Sequence, residues 1–534
     1  MKYVLAYDIG TTGIKTCLFG LGENIRQIAS ETCEYNLYIS DGGKAEQNPD
    51  EWWEAMCITT KRIIEKSEVT PEAIEGISFC SQMQGLVLVD GDGNALRNAM
   101  SYMDQRASEE LRKGIAYGFK IAGANIFRLI PSLIITGAVS SSVKDPMWKY
   151  LWVKNNEPDI YENIYKWLDV KEYIICRCTN RFVMTRDSAF STMLYDLREG
   201  HKCFSKKLCK MFGVNINHLP EIIEVTDEVG CLTEKAAQEL GLKTTTKVFG
   251  GGGDATLIGV GAGCVEVGDT HIYSGTSGWV STITDKQMVD ANNMIAAIIG
   301  AQPGKYNYFA EMETAGKCLE WVKNHLCLDE IGIYLEKMDV TGSAEKIYRS
   351  LYDYMTETVK NLEPGAGGVI FTPWLHGNRC PFEDPAAAGM FFNIRLETGK
   401  TELIRAVLEG ICYHQRWMLE CQDRKLKTSS VIRFCGGGAL SDVTSQILAD
   451  ITGRTIEIVK SPQDVGAVGA AATVAVGIGL VKDISDIKPM IEVEKTFVPN
   501  EANKAAYDKS FEVFKNLYKA NAKNFRTLNN YGGK

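Results

Sequence analysis

The sequence has no CxxC pair, no basic run, no membrane-length apolar stretch and only six histidines in 534 residues. Its sixteen cysteines are scattered, and the nearest couple, Cys176 and Cys178, has no ligand cluster beside it. Cys17, Cys80 and Cys435 sit inside apolar runs, where a thiol behaves as a small hydrophobe. This usage fits a reducing compartment rather than a disulfide framework. The dispersed histidines argue against a structural zinc site. With a net charge of −9 and nothing basic to offset it, nucleic acid and membrane surfaces are not expected partners. The longest uncharged stretch, 465–481, is rich in Ala and Gly, falls short of a spanning length and reads as a buried helix. The opening residues up to Asp8 hold too few apolar positions for a signal peptide, so the expected location is cytoplasmic.

What is present is length and alternation. A chain this long exceeds one ordinary core and predicts at least two domains. Residues 3–8 read as a strand, Gly10-Thr11-Thr12-Gly13 as a tip, and 14–19 as a returning strand. The pattern recurs about half a chain later, where 271–274 lead into Gly275-Thr276-Ser277-Gly278 and a second returning strand. That separation favours internal duplication over coincidence. Around the tips, strands and helices alternate: a helix opened by Asn48-Pro49, strands at 74–80 and 86–89, a helix over 401–422, and strand–helix–strand–helix from 431 onward. The expected class is α/β with mixed sheets, divided into domains 1–255 and 256–534.

Several short segments carry candidate chemistry. A Gly/Thr tip lets backbone N–H groups converge on an anion, because glycine puts no Cβ in the way. Two such tips can grip a triphosphate; either alone could be an ordinary tight hairpin. Asp8 precedes the first tip, whereas Tyr273 stands at the matching place before the second. A carboxylate beside a phosphate loop calls for a cation between them, so Asp8 is a candidate for holding Mg²⁺, directly or through water; the alternative is a turn-forming Asp. Asp254 closes the run Gly250–Gly253 and could accept the proton of an attacking hydroxyl, or could simply cap the helix that follows. Gly436–Ala439 joins a strand to a helix capped by Ser441, a generic nucleotide-type loop. Segments 81–85 and 102–106 mix amide, charged and apolar groups as a polyhydroxylated ligand requires, or are plain loops.

Taken in order, the chain resembles the FGGY carbohydrate kinases, and among them the xylulokinase branch. The resemblance rests on segments 8–13, 46–53, 82–85, 103–107, 149–153, 168–171, 251–254, 274–278, 436–439 and 447–450. It implies a two-lobed actin/hexokinase-type (ribonuclease H-like) ATPase fold, internally duplicated, with a cleft between lobes. It further implies ATP and Mg²⁺ as cofactors, and a small sugar and ATP as partners; a homodimer is compatible with the sequence. By resemblance, Asp254 is the catalytic base and Asp8 the Mg²⁺-associated aspartate. Gly10, Thr11, Thr12, Gly275 and Thr276 match the phosphate tips, and Gly437, Gly438 and Ala439 the adenine-side loop. Met83 and Gln84 match the sugar-contacting pair, with Tyr102, Asp104 and Arg106 in the sugar-pocket segment. Xylulokinases typically carry His at the place of Gln84, a polar residue at that of Ala255 and Trp at that of Tyr102. Each departure removes or replaces a sugar contact that the resemblance implies, which leaves the ketose open; D-xylulose remains the first expectation, followed by D-ribulose, other ketoses and sugar alcohols. An actin- or heat-shock-type ATPase binding module, or a kinase-like sugar sensor without activity, are the rival classes.

Overall fold

The structure, a computed structural model, describes residues 1–121, 124–327 and 351–529. Two sheets organise it. In the first, β1 (Lys2–Ile9), β2 (Gly13–Leu21) and β3 (Ile25–Glu34) form an antiparallel meander. The strand Ile74–Ser81 joins β1 in parallel, and Lys247–Phe249 joins that strand in turn. The second sheet repeats the scheme: Thr270–Ser274, Gly278–Thr284 and Tyr306–Met312 form the meander, and Val431–Cys435 and Thr455–Val459 add the two parallel strands. Beyond the last parallel strand lies one antiparallel strand, Glu228–Cys231 in the first sheet and Val493–Phe497 in the second, and the second sheet extends past its meander by Ile295–Ile299 and Val289–Asp290. The five-strand core of meander and two parallel strands, with the same order and directions in both halves, makes the duplication structural, beyond the four residues of each tip.

The helices are placed by local chemistry. α1 (Pro49–Lys66) starts where the Asn48 side chain accepts the Asp50 amide and Pro49 supplies the first helical φ. Ser441 caps Asp442–Thr452 through the Thr444 amide. The Ala/Gly stretch forms the buried helix Val465–Gly477, and among the described residues no helix is long and apolar enough to cross a membrane.

That helix and a shorter one, Asp254–Gly261, follow the last parallel strand of their respective sheets and pack on each other. Glycine makes the contact close: a Cβ on Gly261 would lie 1.8 Å from the Val465 carbonyl oxygen, and one on Gly469 would lie 2.3 Å from that of Leu257. Both lobes feed the apolar seam around them, Val4, Ala6 and Phe19 from one side and Val468, Ala470 and Val474 from the other. Polar links cross it too, from Ser78 to Thr473 at 2.7 Å and from Lys15 to Asp464 at 2.6 Å. The expected boundary at residue 255 falls within the first turn of the helix Asp254–Gly261.

Candidate active site

β1 delivers Asp8, and the tip after it is closed by the Gly10 amide donating to the Gly13 carbonyl at 2.9 Å. The lobe takes up the tip's carbonyl oxygens. Gly10 O accepts from the Tyr35 hydroxyl at 2.5 Å and from Gln82 Nε2 at 3.0 Å, and Thr11 O accepts from Gln47 Nε2 at 2.7 Å. Oxygens that would repel a phosphate are thus engaged from behind, while Thr12 stays exposed. The second tip is braced by backbone instead: the amides of Gly316 and Ala315 donate to Gly275 O and Thr276 O at 2.8 and 3.1 Å.

Gly436–Ala439 lies directly on this second tip. Gly436 adopts φ +87, and a Cβ there would be 2.6 Å from the Ser274 carbonyl oxygen; one on Gly438 would be 2.8 Å from Ser274 Cβ. The structure therefore brings Gly275, Thr276, Gly437, Gly438 and Ala439 together, with open space above Gly437.

Asp254 opens its helix as the first helical residue, with Gly253 at the cap. Its Oδ1 accepts the Ala255 amide at 2.7 Å, and no other hydrogen bond to the carboxylate is seen among the described residues. Burial, reinforced by the negative charges of Asp8, Glu311 and Asp169, pushes its pKa up to about 7. Burial likewise pushes Asp8 up to about 6, with Lys15 opposing and Asp464 adding to the rise. The Asp8 carboxylate rests against the other lobe, 2.9 Å from where a Cβ on Gly466 would be. Tyr273 lies within electrostatic reach of both aspartates, so the two tip strands face one shared space.

The residues expected on the sugar side divide into two layers. Met83 packs on Gly253 so tightly that a Cβ there would meet its sulfur at 2.1 Å. Gln84 takes the left-handed conformation at φ 64, its amide held by Asp169 Oδ2 at 3.0 Å. Tyr102 reaches Thr11 Oγ1 at 3.5 Å and feels the charge of Asp254, which puts Met83, Tyr102 and Asp254 together. Asp104 and Arg106 stand behind this layer. Asp104 is fully buried; its carboxylate accepts the Ala45 amide at 2.8 Å and the Arg106 guanidinium at 2.7–3.0 Å. Arg106 also holds Glu46 at 2.6 Å and stacks over Trp152. Lys149 joins the layers, donating to Ser101 O at 2.7 Å and Gln84 O at 3.0 Å, and burial pulls its pKa down to about 8.

Sequence reasoning did not single out Tyr35, Gln47, Asp169, Glu311 or Arg379. Glu311, which comes from the second lobe and is paired with Arg379, acts on Asp254 from across the cleft. Asn307, from the same strand as Glu311, donates to Ala255 O at 2.8 Å. No local motif marks them, whereas Gln47 and Asp169 lie inside segments already noted.

Residues 3–261 match the N-terminal domain model of the FGGY family of carbohydrate kinases, and residues 271–478 match its C-terminal domain model. A xylulose kinase of Staphylococcus epidermidis is 30% identical, over 97% of each chain. A gluconokinase of Bacillus licheniformis is 26% identical, over 99% of this chain and 98% of its own. The solved xylulose kinase of Lactobacillus acidophilus superposes with a TM-score of 0.83 at 24% identity, covering 99% of this chain and all of its own. A duplicated fold that gathers two Gly/Thr tips and Asp254 at one cleft, matched over both halves, has one reading: the chain belongs to the FGGY family of carbohydrate kinases and is an ATP-dependent sugar kinase.

Proposed function

We propose that the protein transfers the γ-phosphoryl group of ATP to a hydroxyl of a neutral ketose, with a ketopentose such as D-xylulose first among the candidates. The observation that carries this reading is Asp254: a half-buried carboxylate with a pKa near 7, beside the Met83 loop and facing Asp8. A base tuned near working pH takes a proton most effectively. Its free Oδ2 accepts the proton as the sugar oxygen attacks the γ-phosphorus in line and ADP departs. Most of the acceleration comes from positioning and from donors that neutralise the phosphoryl oxygens. Exclusion of water on lobe closure keeps ATP from hydrolysis.

Mg²⁺ fits beside Asp8. The charge of Asp8 adds to the rise in the Asp254 pKa, a repulsion that a cation between them relieves. The described residues contain no cluster of three or more His, Cys, Asp or Glu suited to a metal, which suits an ion that keeps its waters and binds through one carboxylate and the substrate's phosphates. When bound, it would neutralise charge on the β- and γ-phosphates.

The preference for a neutral sugar follows from the cations. Lys149 is spent on two carbonyls, Arg106 on Asp104 and Glu46, and Arg379 on Glu311. A sugar acid would bring its carboxylate toward Asp254, Asp169 and Glu311 with no free cation among these to meet it. Because a gluconokinase is among the relatives, this is the choice to test, with other ketoses and polyols as alternatives. The fifteen cysteines whose side chains are described are free, which supports a reducing, cytoplasmic setting.

An ADP-coupled assay over pentuloses, hexuloses, polyols and D-gluconate decides. Turnover that depends on a neutral ketose supports the reading; gluconate as the best substrate, or turnover independent of sugar, overturns it.

A further inference from the structure

Asp187 takes no part in the chemistry above, yet it is 2% exposed and its two oxygens serve different partners. Oδ2 accepts the Gly253 amide, the peptide N–H immediately before Asp254, at 2.7 Å. Oδ1 accepts the Thr185 hydroxyl at 2.5 Å. Lys171, whose side chain is fully buried, stands nearby; its ammonium donates to Thr185 Oγ1 at 2.7 Å and also to Ser188 and Glu172. Burial, the largest single influence, would raise the pKa of Asp187, but the Lys171 charge and the hydrogen bonds from Thr185 and Gly253 together outweigh it and hold the carboxyl below the usual range, as an anion.

Buried charges of this kind are costly unless they are paired and hydrogen-bonded, and replacing them by apolar groups is often neutral for stability. Their placement suggests a use beyond stability. The loop Gly250–Gly253 has no side chains with which to fix itself, and glycine backbone is the most mobile kind. Asp187 supplies a fixed acceptor to its last amide. The turn that carries Lys171 also carries Asp169, whose oxygens take the amides of Gln84 and Gly85 at 3.0 and 2.8 Å. The sugar loop and the base loop are thereby referred to one short stretch, Asp169–Glu172.

We infer that Asp187 is a positioning residue: by holding the Gly253 amide it sets the Asp254 carboxylate against the sugar hydroxyl. This rests on Asp254 being the base. An error of about 1 Å in such a placement can cost on the order of 10²-fold in rate.

The test is Asp187→Asn. An amide offers one acceptor oxygen where the carboxylate offers two, so either Gly253 or Thr185 loses its partner. The expected result is a fall in kcat of about 10- to 100-fold with the KM for ATP within about 2-fold. The acid limb of the kcat profile moves to lower pH, because a loosened carboxylate gains water. A merely structural residue would lower Tm without moving the pH limb. Wild-type kcat and an unmoved limb in Asp187→Asn overturn the inference. If that variant does not fold, Thr185→Val removes the hydroxyl on Oδ1 and must lower kcat at constant KM for ATP; full activity there overturns it equally. Asp254→Asn separates the two levels: if it keeps full kcat, the base assignment itself fails, whereas an inactive Asp254→Asn beside a fully active Asp187→Asn refutes only the positioning role.

Discussion

Replacing Asp254 with Asn should stabilise the folded protein at neutral pH while removing most of its activity. The carboxyl has a pKa near 7 in the fold against an ordinary value of 3.8, with burial as the main cause and the charges of Asp8, Glu311 and Asp169 adding to it. About three pH units at roughly 1.4 kcal/mol each set a ceiling of about 4 kcal/mol of instability above pH 7. The side chain is half-buried rather than sealed, so screening should reduce this to about 1–3 kcal/mol. The sign follows from linkage. Between pH 3.8 and 7 the unfolded chain has released this proton and the folded chain has kept it, so the wild type loses stability as pH rises through that window. Asn carries no such proton, and its Oδ1 can still accept the Ala255 amide. Thermal unfolding of both proteins, without ligands, at several pH values from 4 to 8 should give a Tm gap that is small at pH 4 and widens to a few degrees by pH 8. A gap independent of pH, or one that closes as pH rises, would refute the buried-base reasoning. In the same variant kcat should fall about 10²- to 10⁴-fold, with ATP binding retained.

Gly466→Ala places a methyl group 2.9 Å from both Asp8 Oδ2 and Cys80 Sγ, so Asp8 must move. Titration of activity against Mg²⁺ should show a higher half-saturating concentration and kcat lowered by about 10-fold or more. Gly436→Ala forces an L-residue to φ +87 with its Cβ 2.6 Å from the Ser274 carbonyl. It should raise the KM for ATP while leaving that for sugar unchanged, and cost about 1–3 kcal/mol of stability, read as a lower Tm.

Much of this was legible in the sequence where the signal is local. The two tips, the cap at Asn48, the strand–helix alternation after residue 431 and the Gly-run before Asp254 each declare themselves within a few residues. The duplication could be read from the tips alone, but its extent needed pairing: Tyr306–Met312 matches β3 only because both pair with the returning strand of their tip. The site was half legible. Met83 and Asp254 sit in marked segments, yet their contact across Gly253 depends on how a loop packs. Asp104 and Arg106 were read as sugar contacts by resemblance; the structure spends both on each other and on Ala45 and Glu46, a pairing that spacing cannot reveal. Glu311, paired with Arg379, comes from a distant segment and reaches Asp254 electrostatically only when the lobes fold over each other.

The glycine-lined crossing of the two central helices limits how the halves can travel. With main chain touching main chain at Gly261 and Gly469, sliding one helix along the other would drive carbonyls into each other, which leaves rotation about the crossing as the motion the contact obstructs least. Asp254 heads one of these helices, and Gly252–Gly253 before it pairs with the strand that leads into Met83, so on the proposed assignment the proton acceptor and the sugar belong to the same half. A swing about that pivot therefore changes the distance from proton acceptor to phosphate while the distance from proton acceptor to sugar stays fixed. Misalignment arising during the catalytic cycle would then fall on the nucleotide side, and an empty sugar site would leave the acceptor already in place.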